Sequence, residues 1–302
     1  MNKTLLSGVL ITAFMLVIAV WGPSVAPYDL DYRAKIDFIV KEDGTSDLLA
    51  PPVPPGALFP FGTDKWGADI MTQLLYGAKF TILLSLVIAF ARVGFGGFLG
   101  MFLGYAGQKR KPWPLWSVLN GIPLFMIVWF IMAGISFNSP LPPNALTLIL
   151  AVVMVVIGLP SVVSTVKEKA IEIKQRPFVL ASRSLGAGHW KIVKTHLFPH
   201  LKESLLILLL NEIILTLTLF GQLALFNIFV GGTIVYPDPV EYHSATKEWA
   251  GLIGMAKSSI YANKWMLFIP LAAYALLILG FYCISKGLES IYRGKYNKTA
   301  HV

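Results

Sequence analysis

Six apolar stretches, at about residues 4–22, 80–105, 113–136, 144–165, 203–230 and 265–285, limit what this chain can fold into more than any other feature. A helix needs roughly 20 apolar residues to cross about 30 Å of hydrocarbon, and each stretch is long enough. The backbone inside a bilayer must satisfy its own hydrogen bonds, which a helix does. Composition agrees: 14% of residues are charged, against about 25% in a soluble domain, and the mean hydropathy is +0.68. The expected fold class is therefore an all-α integral membrane protein with six transmembrane helices.

The first stretch has a basic start at Lys3 and a small-residue run, Ser24-Val25-Ala26, as a secretory signal would. Pro27 would follow the cut and disfavours it, so residues 1–22 are read as an uncleaved anchor. The formal charge of +9 sits in short loops beside the apolar stretches, where it reports topology. A nucleic-acid partner is not expected. Cys283 is the single cysteine, which excludes an intrachain disulfide.

Orientation follows from where Lys and Arg crowd. Lys109, Arg110 and Lys111 lie between the second and third stretches, and Lys286, Arg293, Lys295 and Lys298 follow the sixth. The longest basic interruption, residues 167–200, carries seven Lys or Arg against Glu168 and Glu172. By the positive-inside rule all three are cytoplasmic, as are both termini. Residues 23–79, 137–143 and 231–264 are then outside; the first holds Asp29, Asp31, Asp37, Asp43 and Asp47. The expected organisation is an anchor (1–22), an outer segment (23–79), a transmembrane domain (80–290) and a cytoplasmic tail (291–302).

Inside the membrane, Gly96, Gly100 and Gly104 recur every four residues and leave one helix face open to a close neighbour. Pro123, Pro160 and Pro270 interrupt helical bonding. Arg92 and Glu212 fall near mid-bilayer, where charge is costly, so they are expected either to pair or to line a translocation path.

Outside, residues 51–60 (PPVPPGALFP) read as an extended linker. Thr63 or Asp64 could then cap a helix whose Trp66, Ile70 and Leu74 share a face, giving an interfacial helix that feeds the second span. In the 167–200 interruption, Pro177 suits a first helical turn and Gly186 a helix end. A second amphipathic piece, Trp190 to Leu197, follows. Two short helices around a glycine bend have the form of a docking element; the plainer alternative is a basic loop on anionic lipid.

These residues resemble a family. FVLASRSLGAGHWKIVKTHLFPH is similar to the coupling loop of binding-protein-dependent ABC importer permeases, in the oligopeptide, dipeptide and nickel branch, which reads close to YVxAARAxGAS followed by RIIxxHILPN. Phe178, Val179, Ala181, Arg183, Gly186, Ala187, Ile192, His196 and Pro199 are in register. Upstream, Ile171, Ile173, Lys174 and Val179 match LxLKEQEYV. FGTDKWGADIMTQLLYGAK resembles FGTDxxGRDxxSRxxYGAR of the C-type subunit at Phe61, Gly62, Thr63, Asp64, Gly67, Asp69, Tyr76, Gly77 and Ala78. Pro177, Ser182 and Ala68 depart from the pattern, and FGQLALFNIFVGG lacks the glutamate of the family's ExxLSFLGLG.

The resemblance implies the type I ABC importer permease fold with a cytoplasmic coupling helix, a permease role in peptide import, and no catalysis on this chain. Phe178, Val179, Ala181, Ser182, Arg183, Gly186 and Ala187 would engage an ATPase subunit, and Phe61, Gly62, Thr63, Asp64, Gly67 and Asp69 would form the outer interfacial motif. No GxxxxGK[ST] phosphate loop occurs, so ATP and Mg belong to the partner ATPase. A second homologous permease, an extracytoplasmic binding lipoprotein and membrane lipid complete the implied partners, in the bacterial cytoplasmic membrane. The alternatives are a permease for nickel or another small solute, or an ion-coupled secondary transporter. The absence of HExxH, of a placed serine–base pair and of a His or Cys metal cluster argues against an enzyme or a metal site.

Overall fold

A computed structural model describes residues 2–40, 46–107 and 122–299. Lys109, Arg110, Lys111, Asp43 and positions 113–121 of the third apolar stretch lie outside the described residues. The helices are α1 (Lys3–Val25), α2 (Ile70–Ala106), α3 (Leu124–Ser136), α4 (Pro143–Lys174), α5 (Pro177–Ser184), α6 (His189–Ile192), α7 (Phe198–Leu225), α8 (Trp249–Ala256) and α9 (Lys264–Thr299). A π-turn at Val193–Leu197 fuses α6 to α7. Among the described residues, five stretches are long and apolar enough to cross a membrane: Lys3–Val25, Ile70–Ala106, Pro143–Lys174, His189–Leu225 and Lys264–Tyr292. The described part of the remaining apolar stretch is α3, 13 residues long.

The glycine stripe does what its spacing predicts. A Cβ at Gly96, Gly100 or Gly104 would lie 2.7, 2.8 and 2.6 Å from Val162, Val166 and Ala170, so α2 can lie against α4 only without side chains there. On the other flank α1 packs along α9 and α2. Phe90, Phe95, Phe98 and Phe130 stay exposed on the outside of the bundle. In water such surface would be a liability, but against lipid it is the solvated face.

Several expected boundaries move. No separate interfacial helix starts at Thr63 or Asp64. The chain first turns through Gly67 at φ +79°, and the helix begins at Ile70, capped by Asp69, whose Oδ2 accepts from the Thr72 N–H at 2.7 Å. Trp66 therefore sits in the turn, off the α2 face that carries Ile70 and Leu74. The expected loop at 167–200 is shorter. Residues 167–174 continue α4 because Ala170, Ile171 and Ile173 still have a core to enter. The second of the two expected short helices is the first turn of the His189–Leu225 stretch, since Ile192, Val193 and Leu197 bury continuously through the π-turn. Pro123 precedes α3 as its cap, whereas Pro160 and Pro270 lie inside helices.

The described residues are mostly helical, as expected, with two short antiparallel hairpins outside the bundle. β1 (Asp37–Val40) pairs with β2 (Ser46–Leu49), and β3 (Thr233–Pro237) with β4 (Val240–Ser244), Val235 opposite Tyr242. The second hairpin reaches back to the start of α2 through an ion pair between Lys65 and Glu241.

Candidate functional site

At one end of the bundle, α5 rests on the ends of the long helices. Pro177 occupies its first turn and Gly186, at φ +82°, ends it, as only a residue free of a Cβ clash does readily. Val179 is its one buried side chain, entering a cluster with Tyr105 of α2, Ala170 and Ile173 of α4, and Leu197 and Leu201 beyond. Two further contacts brace it. Ser182 Oγ and His196 Nε2 share a hydrogen bond at 3.1 Å, and the Phe178 ring stacks on His200 with centroids 4.8 Å apart. Lys174 Nζ donates to the last carbonyls of α2, on Tyr105 and Gly107, tying that helix end to α4. Leu180, Ala181, Arg183 and Leu185 face outward, Leu185 with 89% of its surface free, and Ala187 is half-buried.

The middle is bolted by one charge pair. Arg92 Nη1 donates to Glu212 Oε2 at 3.0 Å, while Nε and Nη2 donate to the Met154 carbonyl at 3.0 and 2.6 Å. The guanidinium lies across Gly158, where a Cβ would come within 2.3 Å of it. Arg92 has no exposed surface and Glu212 is buried. Of the two outcomes expected from sequence, the structure shows the pairing: α2, α4 and α7 meet on one cation.

At the other end the FGTD segment folds on itself. Gly62 takes φ +74°, and its carbonyl accepts from the Ile70 N–H. Thr63 exchanges hydrogen bonds with Val53, and Asp64 Oδ1 accepts from the Trp66 and Ala68 N–H groups at 2.9 Å. Asp64 Oδ2 takes Gln73 Nε2, also at 2.9 Å. Phe61 remains exposed. These contacts make the motif a rigid cap on α2.

The family pattern described as the inner membrane component of binding-protein-dependent transport systems matches residues 96–293. The chain belongs to that family. It is 26% identical to the dipeptide transport system permease protein DppC of Bacillus subtilis, covering 95% of this chain and 81% of the relative. It is 23% identical to the oligopeptide transport system permease protein OppC of the same organism, covering 98% and 87%. It is 25% identical to the di/tripeptide transport system permease protein DppC of Pseudomonas aeruginosa, covering 99% and 90%. With its membrane-crossing helices, the chain is a multi-pass membrane permease.

The permease also buries polar groups that sequence reasoning missed. Glu248, ahead of α8, is almost wholly buried; Oε1 accepts from the Val230 N–H at 3.0 Å and Oε2 from the Ser244 hydroxyl at 2.8 Å. Burial pushes its carboxyl up to about 7, against the pull of those donors and of Lys247. Next to it Trp249 donates from its ring to the Leu74 carbonyl at 2.8 Å and from its backbone to Thr81 at 2.9 Å, anchoring α8 on α2. Burial and the charge of Lys247 lower His243. Burial pushes Glu241 upward, but Lys65 and His243 outweigh it and the group ends below its ordinary value. The β-branched and aromatic alternation of Thr-Ile-Val-Tyr and Val-Glu-Tyr-His was the signal for this hairpin.

Proposed function

We propose that this chain is one permease subunit of an ATP-driven peptide importer in a bacterial cytoplasmic membrane, with both termini and α5 on the cytoplasmic side. The names of its relatives, permeases for dipeptides, di/tripeptides and oligopeptides, support the substrate class. The observation that carries the mechanism is α5 itself: a short helix pinned by Val179 to three long helices, with Leu180, Arg183 and Leu185 left open. Such a helix can receive an ATPase subunit and pass rigid-body motion into the bundle, where a floppy loop would absorb it. ATP and Mg are held by that ATPase. A second related permease completes the path, and an external binding lipoprotein delivers peptide to the outer end.

The test is uptake of a labelled dipeptide into proteoliposomes holding the permease pair, the ATPases and the loaded binding protein. Uptake is expected to need ATP; uptake driven by a proton or sodium gradient alone would overturn the reading, and transport of nickel without peptide would correct the substrate. Gly186→Pro cannot adopt φ +82°, so it is expected to abolish uptake, either with ATP hydrolysis continuing or with the ATPase lost from the complex. Wild-type uptake at wild-type complex yield would remove α5 from the coupling role.

A further inference from the structure

Two cavities at the outer end share Asp64, Trp66 and His243 as a common wall. The smaller, about 240 Å³, is closed by Arg33, Lys247 and Tyr236. The larger, about 330 Å³, continues over apolar Leu252, Met255 and Met266. Between them stands an aromatic waist, with His243 5.5 Å from Trp66 and 5.0 Å from Tyr236, centroid to centroid.

The charges around the smaller cavity do not cancel. Asp64 is the acid facing it, and both of its oxygens are already occupied by neutral donors, the Trp66 and Ala68 amides and the Gln73 side chain. Glu241, nearby, is held by Lys65. Arg33 spends Nη1 on the Leu30 and Tyr32 carbonyls and keeps the rest of its fork. Lys247 makes no hydrogen bond or ion pair with any described residue. Burial lowers its affinity for a proton; the charges of Asp64 and Glu248 oppose that, and Arg33 adds to it.

Lys247 is also placed rigidly. Its φ is +55°, a conformation that costs a side-chain-bearing residue energy. Its carbonyl sits over Gly77, where a Cβ would lie 1.9 Å away, and its chain neighbours Glu248 and Trp249 are anchored as described. A half-buried ammonium with no hydrogen-bonded partner, on a strained backbone held by its neighbours, beside a cavity, is arranged to meet an anion.

We propose that Lys247, assisted by Arg33, forms an anion subsite that receives the C-terminal carboxylate of the transported peptide at the outer end, with the last side chain entering the larger apolar cavity. This rests on the peptide reading above. One ammonium with no hydrogen-bonded partner matches the single charge of a carboxylate, and the larger cavity offers the surfaces of Leu252, Met255 and Met266 to a side chain, which a bare inorganic anion lacks.

The test compares uptake of labelled dialanine with that of its C-terminal amide, in wild-type, Lys247→Gln and Lys247→Arg complexes supplied with the same binding protein. The preference of the binding protein is common to all three, so it cancels when the carboxylate-to-amide ratio of a variant is divided by that of the wild type. Protein yield cancels too, because each ratio is taken within one preparation. Lys247→Gln is expected to lower the ratio about tenfold, the size of one charge-assisted hydrogen bond, and Lys247→Arg to keep it. An unchanged ratio, including equal slowing of both peptides as would follow if Lys247 docked the binding protein, overturns the subsite. If the wild-type complex imports neither peptide, the peptide reading falls and the subsite with it.

Discussion

The two ends of this permease are built on opposite principles. At the proposed outer end Asp64, Thr63, Glu248, Trp249 and the Oδ2 of Asp69 find partners within the chain, over sequence separations as large as 202 residues, from Thr63 to Trp265, and the result is rigid. At the proposed coupling end α5 is held by one buried side chain, Val179, one side-chain hydrogen bond and the packing of Phe178 on His196 and His200, while its apolar residues Leu180 and Leu185 remain uncovered. Breaking a buried hydrogen bond leaves its partner unsatisfied at a cost in stability, so the many bonded groups at that end make it dear to disturb, although Asp69 Oδ1, Gln73 Oε1 and Glu241 Oε2 lie buried without a hydrogen bond. An element with few contacts opens at low free energy and is free to move with a partner. The difference teaches where motion can enter the molecule.

If α5 drives the bundle as proposed, the middle must transmit between the ends, and Arg92 is where α2, α4 and α7 are bonded together. Arg92→Ala would strand the buried Glu212 carboxylate and remove both donors to Met154. Breaking a buried pair in this way costs about 3–5 kcal/mol, the largest loss expected here, read as a lower thermal midpoint and lower yield of the purified complex together with lost uptake. Replacing both partners by apolar residues, Arg92→Met with Glu212→Leu, is expected to recover most of the stability, since no unpaired charge remains. Wild-type midpoint and uptake in Arg92→Ala would mean that the ends are joined elsewhere.

Glu248 lets pH separate the two ends. Its carboxyl titrates at about 7 in the folded chain against 4.5 when free, so the folded state holds the proton more tightly. Stability contributed by this group is therefore fully present below the free value and falls as pH rises through the window from 4.5 to about 7. The span corresponds to about 3 kcal/mol. Glu248→Gln keeps an acceptor for Val230 and a polar group toward Ser244 but cannot ionise. The thermal midpoint of the variant is expected to stay level between about pH 5 and about pH 8 where that of the wild type declines. Parallel declines in both would place the pH sensitivity outside the Glu248 site.

What the sequence could show divides along the same line. Membrane crossings, the glycine stripe and the Pro177–Gly186 helix depend on residues near one another in sequence, and periodicity or capping chemistry reveals them. The outer end depends on pairings across the chain. Lys65 meets Glu241, Trp249 meets Leu74, and Glu248 is buried although its neighbours Lys247 and Thr246 read as an ordinary polar loop. No local pattern announces such contacts. The helix start was misplaced for a related reason: Asp64 and Asp69 are equally good caps by type, and only the left-handed Gly67 between them decides that the first makes a turn and the second a helix.

The smallest expected effect tests the coupling end most directly. Ser182 stands where the resembling pattern has alanine, and its hydroxyl is one of the few contacts holding α5 against the His189–Leu225 stretch. Ser182→Ala removes that bond without opening a cavity, so the loss of stability is about 1 kcal/mol or less and the thermal midpoint should scarcely move. If α5 conducts motion because it is braced, however, slackening the brace wastes part of each stroke: more ATP is hydrolysed per dipeptide imported, while the maximal hydrolysis rate is kept. A large fall in the thermal midpoint would show that α5 is as deeply built in as the outer cap. An unchanged ratio of hydrolysis to uptake would show that Val179 and the Phe178 stack suffice, and that the serine adds nothing to transmission.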